Sequence, residues 1–228
     1  MVKFATIKGF IFDLDGVITD TAIFHSQAWH QIADKVGVTW DEQLADALKG
    51  ISRMDSLNLI LDRGHREHDF TDAQKQALAA EKNTNYLKLV NQMSPANILP
   101  GIKAFLAELQ AAGYALSLAS ASKNAPLVLS KLGLNAYFTK TVDPATLAHG
   151  KPDPEIFLRG AEILDLAPAA CIGVEDAAAG VQSINGAGET SIGIGDPTVL
   201  AAADINFTDT TQLTLANIKA QLTGVTSN

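Results

Sequence analysis

The sequence predicts an α/β fold in which a Rossmann-like parallel sheet core carries an inserted α-helical cap domain. Short apolar segments that fit strands alternate with helical patterns, and this alternation predicts a parallel sheet covered by helices. The stretch from about residue 21 to residue 93 breaks the alternation, because it has helical patterns and no convincing strand. A helical stretch of this length directly after the first strand must lie outside the sheet.

The core strands are predicted from short apolar runs at residues 10–12, 114–119, 138–142, 171–174 and 191–194. Four apolar residues between the first two strands recur at the spacing of one helical face, namely Ile102, Phe105, Leu106 and Leu109. Gly113 follows where a glycine commonly ends a helix. Asp153 and Pro154 fit the N-cap and the first position of another helix over residues 155–164.

The predicted cap domain covers residues 21–93, and the core comprises residues 1–20 and 94–228. Two apolar stripes with helical spacing run through the cap, one formed by Trp29, Ile32, Ala33 and Val36 and the other by Leu57, Ile60 and Leu61. We expect a longer helix over residues 72–91, with Thr71 as its N-cap. Linkers near Asp20 and Ser94 would permit a hinge motion of the cap over a site at the strand ends.

Composition and charge narrow the classes of function. The chain has 228 residues, 47% of them hydrophobic, which is enough for a substantial core. Its formal net charge of −8 argues against a nucleic-acid or anionic-membrane surface, so we expect neither nucleic acid nor membrane as a partner. A single cysteine, Cys171, excludes an intrachain disulfide. The sequence lacks a basic leader with an apolar run, so we expect a cytoplasmic protein, and we expect it to be a monomer.

Two aspartates directly follow the first predicted strand. Asp13 and Asp15 are two residues apart, so their side chains face the same spot in extended backbone. Gly16 then lets the chain turn sharply and approach a ligand closely. Paired carboxylates at the carboxyl end of a buried strand can hold a hard cation, or they can divide the tasks of nucleophile and acid/base.

Further polar groups fall at or just beyond predicted strand ends, where ligands bind in open α/β sheets. These are Ser120, Lys151 and the pair Glu175 and Asp176. Together with the two aspartates they suit phosphoryl transfer to a carboxylate. Mg²⁺ held by Asp13, Asp176 and a backbone carbonyl would lower the charge repulsion. Lys151 and the Ser120 hydroxyl would hold the phosphate oxygens, and Asp15 would transfer the proton.

Each of these signals is weak when taken alone. Aspartates are common in surface turns, and an isolated serine is most often a turn or capping residue. An isolated lysine is usually solvated, and two acidic residues are favourable at a helix N-terminus. All of them occur in order at strand ends, and this combination favours a shared phosphate site over four unrelated explanations.

The order of these motifs resembles that of the haloacid dehalogenase superfamily, with Asp-x-Asp-Gly-Val at residues 13–17, then the serine, the lysine and the Glu-Asp pair. The resemblance covers nearly the whole chain. Within the superfamily, the stretches at residues 12–21, 48–53, 120–124 and 151–154 are most similar to the beta-phosphoglucomutase family. Such enzymes interconvert beta-glucose 1-phosphate and glucose 6-phosphate through a phosphoaspartate. The resemblance implies Mg²⁺ as cofactor, glucose 1,6-bisphosphate as activator and intermediate, and sugar phosphates as small-molecule partners.

The resemblance also implies roles for individual residues. Asp13 would be the nucleophile, and Asp15 the general acid/base, which also offers its backbone carbonyl to the metal. Glu175 and Asp176 would be metal-site carboxylates. The residues implied to bind the transferring phosphate and its surroundings are Ser120, Ala121, Ser122, Lys123, Asn124 and Lys151. The residues implied on the cap side are Thr21 and His25 near the hinge, Gly50, Ile51, Ser52 and Arg53 around the distal phosphate, and Lys82 reaching into the closed site.

Other functions share part of this pattern. A Mg²⁺-dependent sugar-phosphate phosphatase of the same superfamily would have every core residue, with water as the attacking group. A non-enzymatic signalling module phosphorylated on aspartate would also have an acidic pair, a hydroxyl and a lysine, but it would lack the long helical insertion. His149 and Gly150, in front of Lys151, depart from the residues expected in the closest family members, so they leave the substrate preference open.

Overall fold

The computed structural model describes residues 4–223, and within them it contains a five-stranded parallel sheet. The strands are β1 (Gly9–Phe12), β2 (Ala115–Leu118), β3 (Cys171–Glu175), β4 (Thr190–Ile194) and β5 (Ile205–Phe207). Their order across the sheet is β2-β1-β3-β4-β5, so the first strand lies between the second and the third. The predicted α/β class with a parallel sheet is confirmed.

Some helices form the insertion and the others flank the sheet. The helices of the insertion follow β1 and are α1 (Ala22–Lys35), α2 (Glu42–Ala47), α3 (Arg53–Arg63) and α4 (Asp72–Val90). The helices that flank the sheet are α5 (Ile102–Ala111), α6 (Ala125–Leu132), α7 (Glu155–Ile163), α8 (Ala178–Ala187) and α9 (Leu215–Thr223). None of the helices in residues 4–223 combines the length and the apolar character needed to cross a membrane.

The central strand β1 is buried on both faces because its side chains alternate between two hydrophobic clusters. Phe10 and Phe12 pack in the cluster that contains residues of α5, α6 and α9. Ile11 packs in the cluster that contains residues of α7 and α8. The sheet is thus covered by helices on both sides, as a parallel sheet requires.

The strand register brings the functional ends of three strands to the same level. Phe12 pairs with Leu118 on one side and with Val174 on the other. The residues that follow, among them Asp13 and Glu175, therefore emerge together at the carboxyl edge of the sheet. This edge is where ligands bind in open α/β sheets.

The helical insertion has a hydrophobic cluster of its own. The two stripes expected from the sequence meet there, and its members include Trp29, Ile32, Ala33, Val36, Leu57, Ile60 and Leu61. Helix α4 begins with a capping box in which the Thr71 hydroxyl accepts a hydrogen bond from the backbone N–H of Gln74. Further along α4, Tyr86 and Val90 join the main core cluster instead. The domain boundaries at residues 20/21 and 93/94 stay a prediction, and residues 1–3 and 224–228 of the expected core lie outside the described range.

Two details of the predicted helices can be compared directly with the structure. Helix α5 covers the predicted apolar stripe, and Gly113 follows it with a φ of 80° that favours glycine. Helix α7 begins at the expected residue and ends at Ile163, one residue before the expected end, but its N-cap is Pro154 rather than Asp153. The Asp153 carboxylate still accepts a hydrogen bond from the N–H of Glu155 at 2.9 Å, so it stabilises the first turn from one position further out.

One predicted strand is wrong and one strand was missed. Residues 138–142 do not form a strand; Thr141 makes only an isolated parallel bridge to Leu118 of β2. The segment is limited to two backbone hydrogen bonds around Leu118, and Pro144 opens a short 3₁₀ turn soon afterwards. The missed strand is β5, whose three residues carry too short an apolar pattern to stand out in the sequence.

Candidate active site

A cleft of about 1040 Å³ lies between the carboxyl ends of the strands and the helical insertion. From the sheet side it is lined by Asp13, Asp15 and Lys151. From the insertion it is lined by Arg53 and Lys82, among others. Acidic groups at the sheet edge thus face cationic groups on the insertion across one cavity.

Asp13 is held firmly at the end of β1. Its backbone N–H donates to the carbonyl of Val174 at 3.0 Å. Its Oδ2 accepts from the N–H of Asp15 at 2.9 Å, and its Oδ1 accepts from Nζ of Lys151 at 2.6 Å. Burial raises the pKa of Asp13 to about 6, although the positive charge of Lys151 acts in the opposite direction. Asp13 is therefore mostly a carboxylate at neutral pH.

Lys151 is buried between two carboxylates. Its Nζ also donates a short hydrogen bond to Oε1 of Glu175, and its side chain has 0% exposure. Burial by itself lowers the pKa of the Lys151 ammonium, but the charges of Asp13 and Glu175 outweigh it and raise that pKa above its usual value. The second oxygen of Glu175 accepts from the N–H groups of Asp176 and Ala177, at 2.9 Å each. Lys151 therefore stays charged in a buried, hydrogen-bonded network.

Three carboxylates form a cluster that fits a hard divalent cation. Oxygen atoms of Asp13, Glu175 and Asp176 lie within 4.8 Å of one another. Among residues 4–223, no hydrogen bond or ion pair engages the Asp176 carboxylate, and burial raises its pKa well above the usual range. Gly16 makes room for it, because a Cβ at that position would lie 2.0 Å from Oδ2 of Asp176. An oxygen-only donor set with one uncommitted carboxylate is suited to Mg²⁺.

The side chain of Asp15 is not part of this cluster and lies next to His25. Its Oδ1 is buried without a hydrogen-bond partner among the described residues, and its Oδ2 lies 3.8 Å from Nε2 of His25. Burial, reinforced by the charge of Asp13, raises the pKa of Asp15 to about 8. Asp15 is therefore largely protonated at neutral pH and is a proton donor. It is not one of the three clustered carboxylates, so its expected contribution to a metal site through the backbone carbonyl stays a prediction.

His25 connects Asp15 with Lys82 of α4. Nζ of Lys82 lies 2.8 Å from Nδ1 of His25. When Lys82 is protonated, its ammonium only donates hydrogen bonds, so Nδ1 accepts and the ring hydrogen is on Nε2, which lies 3.8 Å from Oδ2 of Asp15, beyond hydrogen-bond distance. Burial lowers the pKa of His25 well below its usual value, so the ring is neutral. Burial, together with the charge of Arg53, also lowers the pKa of Lys82, to about 7.

The loop after β2 presents a hydroxyl-rich turn to the cleft. Ser120 is buried, and its Oγ accepts from the N–H of Ser122 at 3.1 Å. Ala121, Ser122 and Lys123 line the cleft. Asn124 is the N-cap residue of α6, so the loop ends at a helix N-terminus that favours negative charge. These features suit an anionic ligand.

Arg53 is the first residue of α3 and is only partly buried. It follows a turn in which Gly50 has a φ of 73° and Ser52 is the N-cap. Its Nη2 donates to Oδ1 of Asn83 at 2.8 Å. The Nδ2 of Asn124 donates to the same oxygen at 2.7 Å. Arg53 is thus fixed on one side and faces the cleft with the rest of its guanidinium.

The structure brings most of the expected site residues to one cleft. Those that line it are Asp13, Asp15, His25, Gly50, Ile51, Ser52, Arg53, Lys82, Ala121, Ser122, Lys123, Lys151 and Asp176. Four others do not line it directly, namely Thr21, Ser120, Asn124 and Glu175. Sequence reasoning missed Asn83, because an asparagine within a helix belongs to no motif; its only signal was its position next to Lys82.

Comparisons with known proteins agree with this geometry. A family model of haloacid dehalogenase-like hydrolases matches residues 7–188. The beta-phosphoglucomutase of Bacillus subtilis is 44% identical over 92% of this chain and 92% of that protein. The crystal structure of beta-phosphoglucomutase from Clostridium difficile is 42% identical, with a TM-score of 0.93 over 96% of this chain and 98% of that chain. A fructose-1-phosphate phosphatase of Escherichia coli is 30% identical over 82% of this chain and 95% of that protein.

The family match covers most of the chain, and the relatives align over nearly their whole lengths. The matched region contains both the sheet-edge carboxylates and the helical insertion. The chain therefore belongs to the haloacid dehalogenase-like hydrolase family, and within it to the relatives of beta-phosphoglucomutase.

Proposed function

We propose that this protein is a beta-phosphoglucomutase, which interconverts beta-D-glucose 1-phosphate and D-glucose 6-phosphate through a phosphoaspartate and beta-glucose 1,6-bisphosphate. The observation that carries the proposal is the pairing of two anion sites across one cleft: Asp13 and Lys151 at the sheet edge, and Arg53 on the insertion. A mutase needs both, because its substrate carries phosphate at either end. The 44% identity to the Bacillus subtilis enzyme supports the same activity.

Asp13 is the nucleophile in this proposal. An oxygen of its carboxylate attacks the phosphorus of the bisphosphate, and the bond from that phosphorus to the sugar oxygen breaks. Lys151, 2.6 Å from the carboxylate, offsets the negative charge that collects around the phosphoryl oxygens. The Ser120 loop supplies further donors to the same oxygens. The phosphoaspartate then transfers its phosphoryl group to the 6-hydroxyl of beta-glucose 1-phosphate, which gives the bisphosphate. Transfer of the 1-phosphoryl group of that bisphosphate back to Asp13 releases glucose 6-phosphate and completes the isomerisation.

Asp15 is the acid and base of both half-reactions. With a pKa of about 8 it carries a proton at neutral pH, which it gives to the sugar oxygen as the bond to phosphorus breaks. It then takes a proton from the hydroxyl that attacks the phosphoaspartate. The neutral His25 lies beside Asp15, with Nε2 at 3.8 Å from Oδ2 of the carboxyl group.

The carboxylates of Asp13, Glu175 and Asp176 would hold Mg²⁺, which supplies charge neutralisation at the transferring phosphoryl group when it is bound. Arg53 binds the second phosphate of the substrate. An arginine suits this task because its planar guanidinium offers two parallel donors to phosphate oxygens. Lys123 and Lys82, which also line the cleft, add positive charge on either side of the sugar.

A sugar-phosphate phosphatase is the second candidate, because the Escherichia coli relative has that activity by name. The two activities differ in the acceptor of the phosphoryl group, which is a sugar hydroxyl in the mutase and water in the phosphatase. The test is an assay with beta-glucose 1-phosphate, Mg²⁺ and catalytic glucose 1,6-bisphosphate. We expect glucose 6-phosphate as the product. Free glucose and inorganic phosphate without glucose 6-phosphate would contradict the proposal.

A further inference from the structure

Asn83 connects the helical insertion with the loop that follows β2 through two hydrogen bonds. It lies in the middle of α4 and does not line the cleft. Its Oδ1 accepts hydrogen bonds from Nη2 of Arg53 at 2.8 Å and from Nδ2 of Asn124 at 2.7 Å. Arg53 starts α3 of the insertion, whereas Asn124 is the N-cap of α6 beside the sheet. One amide oxygen thus joins two helix starts that face the same cleft.

The chemistry of the partners determines the orientation of both amides. An arginine has only donors, so Asn83 must present its oxygen to Arg53. Asn124 must then present its nitrogen to the same oxygen. The arrangement leaves no alternative amide orientation that keeps both hydrogen bonds.

As a neutral residue, Asn83 also leaves the positive charge of Arg53 without a counter-charge at this contact. A carboxylate at this position would fix the guanidinium equally well, but it would form a salt bridge and compete with an anionic ligand. The amide oxygen accepts the hydrogen bond without adding a negative charge. The choice of asparagine therefore combines orientation of the guanidinium with an undiminished attraction for phosphate.

We propose that Asn83 is a positioning residue that orients Arg53 toward the second phosphate of the substrate and ties it to the Ser120–Asn124 loop. This inference rests on the proposed function, because the second phosphate is the ligand of Arg53 in a mutase. Asn83 touches no substrate in this account. It acts through Arg53 and Asn124, so that the donors of the insertion and of the loop keep a fixed spacing.

The experiment compares Asn83→Ala with Asn85→Ala, a matched change on the same helix. Asn85 does not line the cleft, and among the described residues its Oδ1 accepts one long hydrogen bond, from Lys88 at 3.4 Å. Asn83→Ala removes the oxygen that accepts from Arg53 and Asn124, so the guanidinium loses its fixed orientation. We expect Asn83→Ala to raise the KM for beta-glucose 1-phosphate roughly 10- to 100-fold, the size expected for the loss of a hydrogen bond to a charged group. Asn85→Ala should leave that KM within about twofold.

Phosphorylation of Asp13 by acetyl phosphate provides the second readout. Acetyl phosphate has a single phosphate, so Asn83→Ala should slow this step far less than it raises the KM for the sugar phosphate. A KM in Asn83→Ala equal to that of the wild type, or an equal loss with acetyl phosphate, would overturn the inference. Failure of the proposed function is separable, because the wild type would then release phosphate without isomerisation. In that case the KM for sugar-phosphate hydrolysis is compared between the same variants, with the same expected ratio.

Discussion

Nζ of Lys151 lies 2.6 Å from Oδ1 of Asp13 in a pair whose side chains are 0% and 6% exposed. The same ammonium also contacts Glu175, so one positive charge serves two buried carboxylates. The pair connects the sheet edge with the loop before α7. It keeps Asp13 ionised where burial alone would favour the protonated, non-nucleophilic form.

Replacing Lys151 should destabilise the protein. Lys151→Met leaves Asp13 and Glu175 buried together without a counter-charge, which typically costs about 3–5 kcal/mol when a buried pair loses one partner. Urea denaturation of the metal-free protein measures the loss. A free energy of unfolding equal to that of the wild type would show that the buried pair is not needed for stability. Lys49→Met, which removes an exposed lysine paired with Asp46, is the control and should cost well under 1 kcal/mol.

Replacing Asp15 should affect rate more than binding. Asp15→Asn removes the transferable proton but keeps the shape of the side chain, so we expect kcat to fall about 10²–10⁴-fold with little change in KM. Steady-state isomerisation kinetics measure both constants. A KM that rises as much as kcat falls would assign Asp15 to substrate binding instead.

Arg53 should separate the two halves of the reaction. Arg53→Ala removes the proposed site for the second phosphate, so isomerisation should fall at least about 100-fold, whereas phosphorylation of Asp13 by acetyl phosphate should change only slightly. Arg53→Lys keeps the charge but not the planar donor pair, so its isomerisation rate should lie between those of the wild type and Arg53→Ala. Unchanged isomerisation by Arg53→Ala would remove Arg53 from the substrate site.

Glu189 should make stability depend on pH. It lies just before β4, is 5% exposed, and neither of its carboxyl oxygens has a hydrogen-bond partner among the described residues. Burial raises the pKa of Glu189 from 4.5 to about 9, so the folded state binds a proton that the unfolded state releases above pH 4.5. This residue therefore costs stability progressively as pH rises from about 4.5 to 9, by at most about 1.4 kcal/mol per pH unit.

The matching experiment is urea denaturation of Glu189→Gln and the wild type across that pH range. The variant cannot ionise, so its advantage should grow with pH and nearly vanish near pH 4.5. A difference that is constant with pH would mean that folding does not raise the pKa of Glu189.

The elements that were predictable from the sequence are those with a strong local pattern. The apolar run that ends at Asp13 marks a buried strand and its functional edge, and Thr71 followed by Gln74 marks a capping box. Residues 138–142 were misassigned because an apolar segment beside the sheet need not join it; only Thr141 bridges to β2. The residues of β5 were missed because three residues carry too little pattern.

The residues of the candidate site were likewise predictable from the sequence only where they follow a strong local pattern. Asp13 and Asp176 directly follow β1 and β3, so parallel topology predicts that they meet, whereas Lys151 lies in the loop before α7 and follows no strand. Asn83 could not be predicted, since its importance lies in two hydrogen bonds to residues 30 and 41 positions away. The pKa values of Asp15 and His25 likewise depend on burial between the insertion and the sheet, which no local pattern encodes.

The most direct measurement of the central claim is the fate of one phosphoryl group in a single turnover. The enzyme is phosphorylated with labelled acetyl phosphate, freed of the donor, and mixed with beta-glucose 1-phosphate and Mg²⁺, with Asp13→Asn as the variant that should take up no label. We predict that the label on Asp13 appears first in glucose 1,6-bisphosphate, and that its release as inorganic phosphate is slower by at least about tenfold. Release of the label as inorganic phosphate at a rate unaffected by the sugar phosphate would contradict the account.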